Sequence, residues 1–395
     1  MFRAALGVRD FRRLWLAEAL SQAGDQLARV ALAVLVFQRT DSALLTALTY
    51  ALSFVPTLVG GALLGGLADR YPRRLVMVGC DLVRAVLVGV MAVPGLELPV
   101  LYVLVALMTL LGGPFRAAQQ ALLPEVLDGE RYVQGLALRG MTIQSAQLAG
   151  FAGGGALVAA LTPYWALALD AGTFLVSGLV ITFGVDPRPA PVTAADRPGF
   201  GAAIGDGVRL LWRAPGLRAL AVLSWLAGFY VVPEGLAAPY AGLIGAGTIG
   251  IGLFMAGDPA GSVLGAYALA RWVPERLRPK VIGPLALLTG LPLLVFALRP
   301  GLVVGVLALG LSGAAAQAYQ TQATASLARA VPDAGRAQAM GLVVTGLVTA
   351  QGLGVLAAGA LAGLVGADLA IALAGAAGIG VGIPAALAWR RAGYG

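Results

Sequence analysis

Residues 65–74 read Gly65-Gly66-Leu67-Ala68-Asp69-Arg70-Tyr71-Pro72-Arg73-Arg74. An apolar run ends on two glycines, and the tight turn that follows holds one acid and three arginines. Glycine lets helix backbones approach closely. A carboxylate fixed in such a turn can hold arginines or a helix N-terminus in one conformation and release them in another. The turn joins the second and third of twelve apolar runs, at 14–37, 43–67, 75–95, 98–115, 134–161, 164–184, 217–242, 246–270, 281–298, 301–327, 338–365 and 368–389. Most approach the ~20 residues that cross ~30 Å of hydrocarbon. The chain reads as an all-α membrane protein of twelve transmembrane helices.

Composition agrees. Of 395 residues, 59% are hydrophobic and 12% charged, and 56 are glycine. A soluble domain carries about a quarter charged residues because its surface is wet, so this outer surface is expected to face lipid. The net charge of +8 would suggest nucleic acid in a soluble chain. Here Lys280 and most of the arginines gather between alternate runs, while only Arg39 and Arg299 lie between the others. That asymmetry reports orientation in a membrane and no nucleic-acid partner. Arg3, Arg9, Arg12 and Arg13 at one end, with Arg390 and Arg391 at the other, put both termini in the cytoplasm. The localisation expected is a cytoplasmic (inner) membrane, crossed many times. The first run is too long and too polar for a signal-peptide core and reads as an uncleaved helix. Cys80 has no second cysteine to pair with, and histidine is absent. No metal site and no cofactor is expected, and no G-x-x-x-x-G-K-[ST] element supports an ATP-driven pump.

The longest polar interruption, 186–213, holds Pro187, Pro189, Pro191 and Pro198. It divides the chain into a six-helix bundle at 1–185, a cytoplasmic central loop with an interfacial helix at 200–212, and a second six-helix bundle at 214–395. The halves echo one another: Gln147-Leu148-Ala149-Gly150 with Gly155-Ala156-Leu157 returns as Gln351-Gly352-Leu353-Gly354 with Gly359-Ala360-Leu361. An offset of six helices keeps both copies in the same membrane direction, as in parallel transporter repeats.

In the first run Glu18, Gln22, Asp25 and Arg29 step by four, three and four residues, so they form one polar stripe on an apolar helix. Ionisable groups at membrane depth are costly and normally face a cavity or a partner. Asp25, near mid-span, can be relieved by Arg29 one turn on or by taking a proton, which suits proton coupling; a static Asp25–Arg29 pair, with Glu18 solvated, is the other reading. Asp258, followed by Pro259 where the eighth helix is expected to break, is the second coupling candidate. Glu18 and Glu234 are the remaining proton-coupling candidates, and Glu234, after Pro233, lines the outer mouth or caps a loop. Asp170 and the Asp81–Arg84 pair read as structural, since i,i+3 partners satisfy each other. Gln22, Gln26, Gln144, Gln147, Tyr230, Gln317, Tyr319, Gln320 and Gln351 are candidates for lining a substrate cavity; the glutamines could equally be interhelical contacts of about 0.6 kcal/mol each.

The Gly65–Arg74 turn resembles the signature loop of the major facilitator superfamily, in which Asp and Arg latch the halves on the cytoplasmic face. The helix count, central loop and half repeat fit the same family over essentially the whole chain. The resemblance implies a cytoplasmic latch at Gly65, Asp69, Arg70, Arg73 and Arg74. It implies too that helices 1, 4, 7 and 10, with 2, 5, 8 and 11, line a cavity. Within that family, Gly112-Gly113-Pro114-Phe115-Arg116 with Leu122-Leu123-Pro124-Glu125, and Pro233-Glu234-Gly235-Leu236-Ala237-Ala238-Pro239, are similar to bacterial drug and siderophore exporters. Two departures stand out: Gly265–Arg271 in the second half lacks the acid, and Gly150–Gly155 lacks the Gly-Pro usual in exporters.

The function expected is that of a monomeric secondary transporter, not an enzyme, exporting small amphipathic molecules in exchange for protons by alternating access. A proton-linked importer of the same fold and a scaffold or sensor that carries nothing are the alternatives.

Overall fold

A computed structural model of the chain describes residues 3–189, 209, 211–212, 214–331 and 333–394. All regular structure among them is helical, as hydrocarbon demands of a backbone that must satisfy its own hydrogen bonds. The expected interfacial helix at 200–212 lies outside the described residues, apart from 209, 211 and 212. By contacts the chain forms two compact units, one holding Met1–Val36 with Leu52–Asp196, the other Phe37–Ala51 with Arg197–Gly395.

The first unit contains α1 (Arg3–Leu6), α2 (Arg9–Thr40, to Val36), α4 (Val55–Leu64), α5 (Leu67–Arg70), α6 (Arg73–Met91), α7 (Leu98–Val126), α8 (Gly129–Ala160) and α9 (Pro163–Gly184). The 43–67 run is therefore not one helix. It is interrupted before Pro56, where α3 (Ala43–Ala51) gives way to α4, and again at the glycines before α5. Helix α9 begins with proline at its first position, where the missing N–H costs nothing. Helices α4 and α7 meet through backbone: a Cβ on Gly60 would stand 1.8 Å from the Leu110 carbonyl oxygen, and one on Gly113 2.1 Å from the Gly61 nitrogen. Thr57 Oγ1 donates to the Thr109 carbonyl at 3.1 Å, and Thr109 Oγ1 to that of Leu52 at 2.9 Å. Cys80, Met77, Phe115, Ala118 and Leu122 pack in one buried cluster.

The second unit adds α10 (Pro215–Trp225), α11 (Ala227–Tyr230), α12 (Val232–Gly235), α13 (Ala237–Leu243), α14 (Gly247–Trp272), α15 (Arg278–Gly290), α16 (Leu302–Ala330), α17 (Asp333–Val365) and α18 (Ala367–Trp389) to α3. The seventh run is thus divided among four short helices, in a stretch that carries Pro233, Gly235 and Pro239. By contrast, α14 runs unbroken through Pro259. The expected break is absent because proline forfeits one intrahelical bond while its neighbours keep theirs. Helices α14 and α16 close on glycine, with Gly261 against the Gly310 carbonyl and Gly265 against that of Ala314. Tyr240, Phe254 and Phe296 stack at centroid distances of 5.0–5.7 Å.

Among the described residues, ten helical segments are long and apolar enough to span a bilayer. The runs at 75–95 and 134–161 form helices too, but polar content keeps them out of that set. Helix α6 carries Arg73, Arg74, Asp81 and Arg84 in 19 residues, and α8 is diluted by Gln144, Gln147 and three consecutive glycines.

The signature turn is fastened inside its own unit. Arg73 pairs with Glu125 and donates to the Ala121 carbonyl on α7. Arg74 donates to the Val185 carbonyl at 2.8 Å, while Asp69 is half-buried and Arg70 exposed. Glu125 is 42% exposed, so solvent screens this pair. Glu125→Gln should lower stability by no more than about 1 kcal/mol, read by thermal unfolding in detergent.

Candidate functional site: a buried charge cluster in the first unit

Helix α2 presents its polar stripe to three neighbours. Glu18, 5% exposed, takes a bidentate pair from Arg139 of α8, at 2.6 Å from both Nε and Nη2. The same Nη2 reaches Gln119 Oε1 of α7 at 2.8 Å. The solvated Glu18 considered from the sequence is therefore corrected, because an arginine lies one helix away. A fork-to-fork pair of this kind adds geometric specificity as well as energy.

Asp25 pairs with Arg84 of α6, whose Nη2 lies 2.9 and 3.1 Å from its two oxygens. The intrahelical partner expected, Arg29, lines the adjacent cavity instead. That cavity, of ≈ 30 Å³, is bordered by Asp25, Arg29, Ser53, Thr57, Arg84 and Arg116. It has room for a water. Arg84 also sits 4.0 Å above the Phe174 ring, an attraction that strengthens when water is excluded.

The i,i+3 pairing of Asp81 with Arg84 is corrected as well. Asp81 Oδ2 accepts from Ser177 Oγ of α9 at 2.6 Å, because Arg84 is drawn across to α2. Asp170 lies one turn before Phe174, with Thr173 Oγ1 3.2 Å from its Oδ1. A Cβ on Gly24 would stand 2.3 Å from that same oxygen, so only glycine admits the carboxyl against α2. Asp81 and Asp170 are fully buried. The sequence reading gave both acids a structural role only. The signal for more was Asp170, Thr173, Phe174, Ser177 and Gly178, a stripe at helical spacing on one face of α9.

The other candidates distribute as follows. Gln22, Gln144 and Gln147 are half-buried, and Gln26 is 5% exposed under Gly150. In the second unit Glu234 is buried in α12 and accepts from Tyr50; it is no solvent-facing loop acid. Asp258 is half-buried against Gly313 of α16, with Ser262 Oγ 3.5 Å away. Tyr230 donates to the Ala286 carbonyl at 2.8 Å. Gln320 donates to the Ser224 carbonyl and to the buried Tyr319 hydroxyl, Gln317 to Thr321 of its own helix, and Gln351 is half-buried.

The sequence itself, beyond this cluster, matches a known family. A sequence profile described as Major Facilitator Superfamily matches residues 14–310. Macrolide efflux protein A of Streptococcus pyogenes is 26% identical over 231 residues, which is 56% of each chain. The MFS-type transporter YfiS of Bacillus subtilis is 30% identical over 203 residues, 50% of this chain and 48% of that one. The chain thus spans about half the length of the curated relatives it matches. Among solved structures, a variant of the peptide transporter POT in complex with alafosfalin superimposes with a TM-score of 0.76 at 15% identity, over 98% of both chains. The nucleoside transporter NupG gives 0.72 at 15% identity, over 97% of this chain and 99% of that one. On the extent of the profile match and the all-helical fold, the chain belongs to the Major Facilitator Superfamily.

Proposed function

We propose that the chain is a secondary transporter that exports small amphipathic molecules, macrolides among them, in exchange for protons. It resides in the cytoplasmic membrane with both termini inside, and its two six-helix bundles, 1–185 and 214–395, give access to either side in turn. The observation that carries the coupling is the Asp25–Arg84 pair at the edge of a water-sized cavity within α2, α4, α6 and α7. The carboxylate there is paired with its arginine, and a proton arriving through the cavity competes with that arginine for it. Outward direction rests on the macrolide efflux relative and on the exporter-like Gly112–Arg116 and Pro233–Glu234 stretches. The driving force is sufficient, since one charge moved through 100 mV is worth ~2.3 kcal/mol, a roughly 50-fold concentration ratio.

The test is reconstitution in liposomes with an imposed pH gradient and radiolabelled erythromycin. Wild type should accumulate the macrolide on the side that supplies protons, and Asp25→Asn should lose the pH-driven component while keeping gradient-free exchange. Equal flux with and without the pH gradient would remove proton coupling from this reading.

A further inference from the structure

The first unit holds more buried acid than the Asp25–Arg84 pair uses. Asp170 Oδ2, Asp81 Oδ1 and Arg84 Nε have no hydrogen-bond partner among the described residues, and both acids are fully buried. A buried charge without a partner is strongly disfavoured, and the usual escape is to become neutral. Asp81 has a strong donor in Ser177. Asp170 has only the 3.2 Å contact from Thr173, a hydroxyl that is 2.8 Å from the Asp170 carbonyl oxygen and spends its proton there. Asp170 is thus the less supported of the two as an anion.

The surroundings are specific. Helix α2 contributes Asp25 and Arg29, α6 contributes Cys80, Asp81 and Arg84, and α7 contributes Arg116 on the cavity. Helix α8 carries Glu130, Arg131 and Arg139, the last committed to Glu18. Arg29 is half-buried and Arg116 exposed, so Arg84, 6% exposed, is the one buried guanidinium of the cluster. It stacks on Phe174, one turn beyond Asp170, and Asp170 reaches α2 beside Asp25 at Gly24. Asp25 is paired with that arginine, and Asp170 lies within reach of the charges of both.

We propose that Asp170 is a second proton-holding carboxyl and alternates with Asp25 as the counter-ion of Arg84. While Arg84 is paired with Asp25, the proton resides on Asp170. When Arg84 turns on the Phe174 face, the Asp170 O–H bond breaks, an O–H bond forms on Asp25, and the guanidinium hydrogen bonds pass from Asp25 to Asp170. The charge of the cluster is the same before and after, so no uncompensated ion is created at membrane depth. This rests on the proton-coupled reading above and assigns the internal end of the same path.

Infrared spectra of the protein in liposomes, in the protonated-carboxyl C=O region, test it without any substrate. Wild type at neutral pH should show a band lost in Asp170→Asn and retained in Asp81→Asn. Asp25→Asn should lose that band too, although Asp170 is intact, because Arg84 then draws Asp170 into its ionised form. Thr173→Val, which keeps the carboxyl, should shift the band and serves if Asp170→Asn does not fold. Erythromycin flux separates the two readings. Failure of a pH gradient to drive flux in wild type removes proton coupling itself. Gradient-driven flux that survives Asp170→Asn, or an Asp25→Asn spectrum with the band at full strength, overturns the assignment of Asp170 alone.

Discussion

Arg84→Met should destabilise the protein by about 3–5 kcal/mol, the usual loss when one member of a buried ion pair is removed and the other is stranded. The side chain is 7% exposed, and its partner Asp25 16%. Its removal strands the Asp25 carboxylate, and the Phe174 stacking is lost with it. The second change Asp25→Asn removes the stranded charge and should restore most of the loss. Thermal unfolding of the two single variants and the double variant yields the coupling directly. If Arg84→Met melts like wild type, the pair contributes nothing and the cluster is not organised as described.

Gly261→Val should be as damaging for a different reason. The added Cβ would lie 1.8, 2.5 and 2.7 Å from the carbonyl oxygen, carbonyl carbon and Cα of Gly310. All three are backbone atoms, so no rotamer change relieves the overlap and α14 must lift away from α16. Overpacking of this kind costs 1–3 kcal/mol where side chains can yield, and here more than about 3 kcal/mol is expected. Gly363→Ala is the control, since its Cβ would meet nothing within 4 Å. It should be neutral or gain up to about 1 kcal/mol from helix propensity. Size-exclusion profiles and melting curves of the two variants separate crowding from glycine loss as such.

The elements were legible where a long apolar run dictates a helix and a glycine pair or a polar turn ends it. The turn at Gly65–Arg74 was legible for that reason. Breaks within runs were harder. Pro233 lies in a stretch divided into short helices while Pro259 leaves its helix whole, so proline alone does not mark a break. The site was half legible. Periodicity put Glu18 and Asp25 on one face of α2, but it compares residues only within a helix. It therefore offered Arg29 to Asp25, whereas the partner comes from 59 residues along the chain. Arg139 was hidden from Glu18 in the same way, at 121 residues. The i,i+3 rule paired Asp81 with Arg84 although each finds a better partner on another helix.

Cys80 is the sole thiol in 395 residues, and it is sealed among Met77, Phe115 and Ala118 at 7% exposure. Water-soluble maleimides should therefore pass it by in the folded protein. Any cysteine introduced at an accessible position becomes the unique attachment point for a fluorophore or spin label. Distance changes during a transport cycle can then be followed on an otherwise native sequence, without first building a thiol-free background.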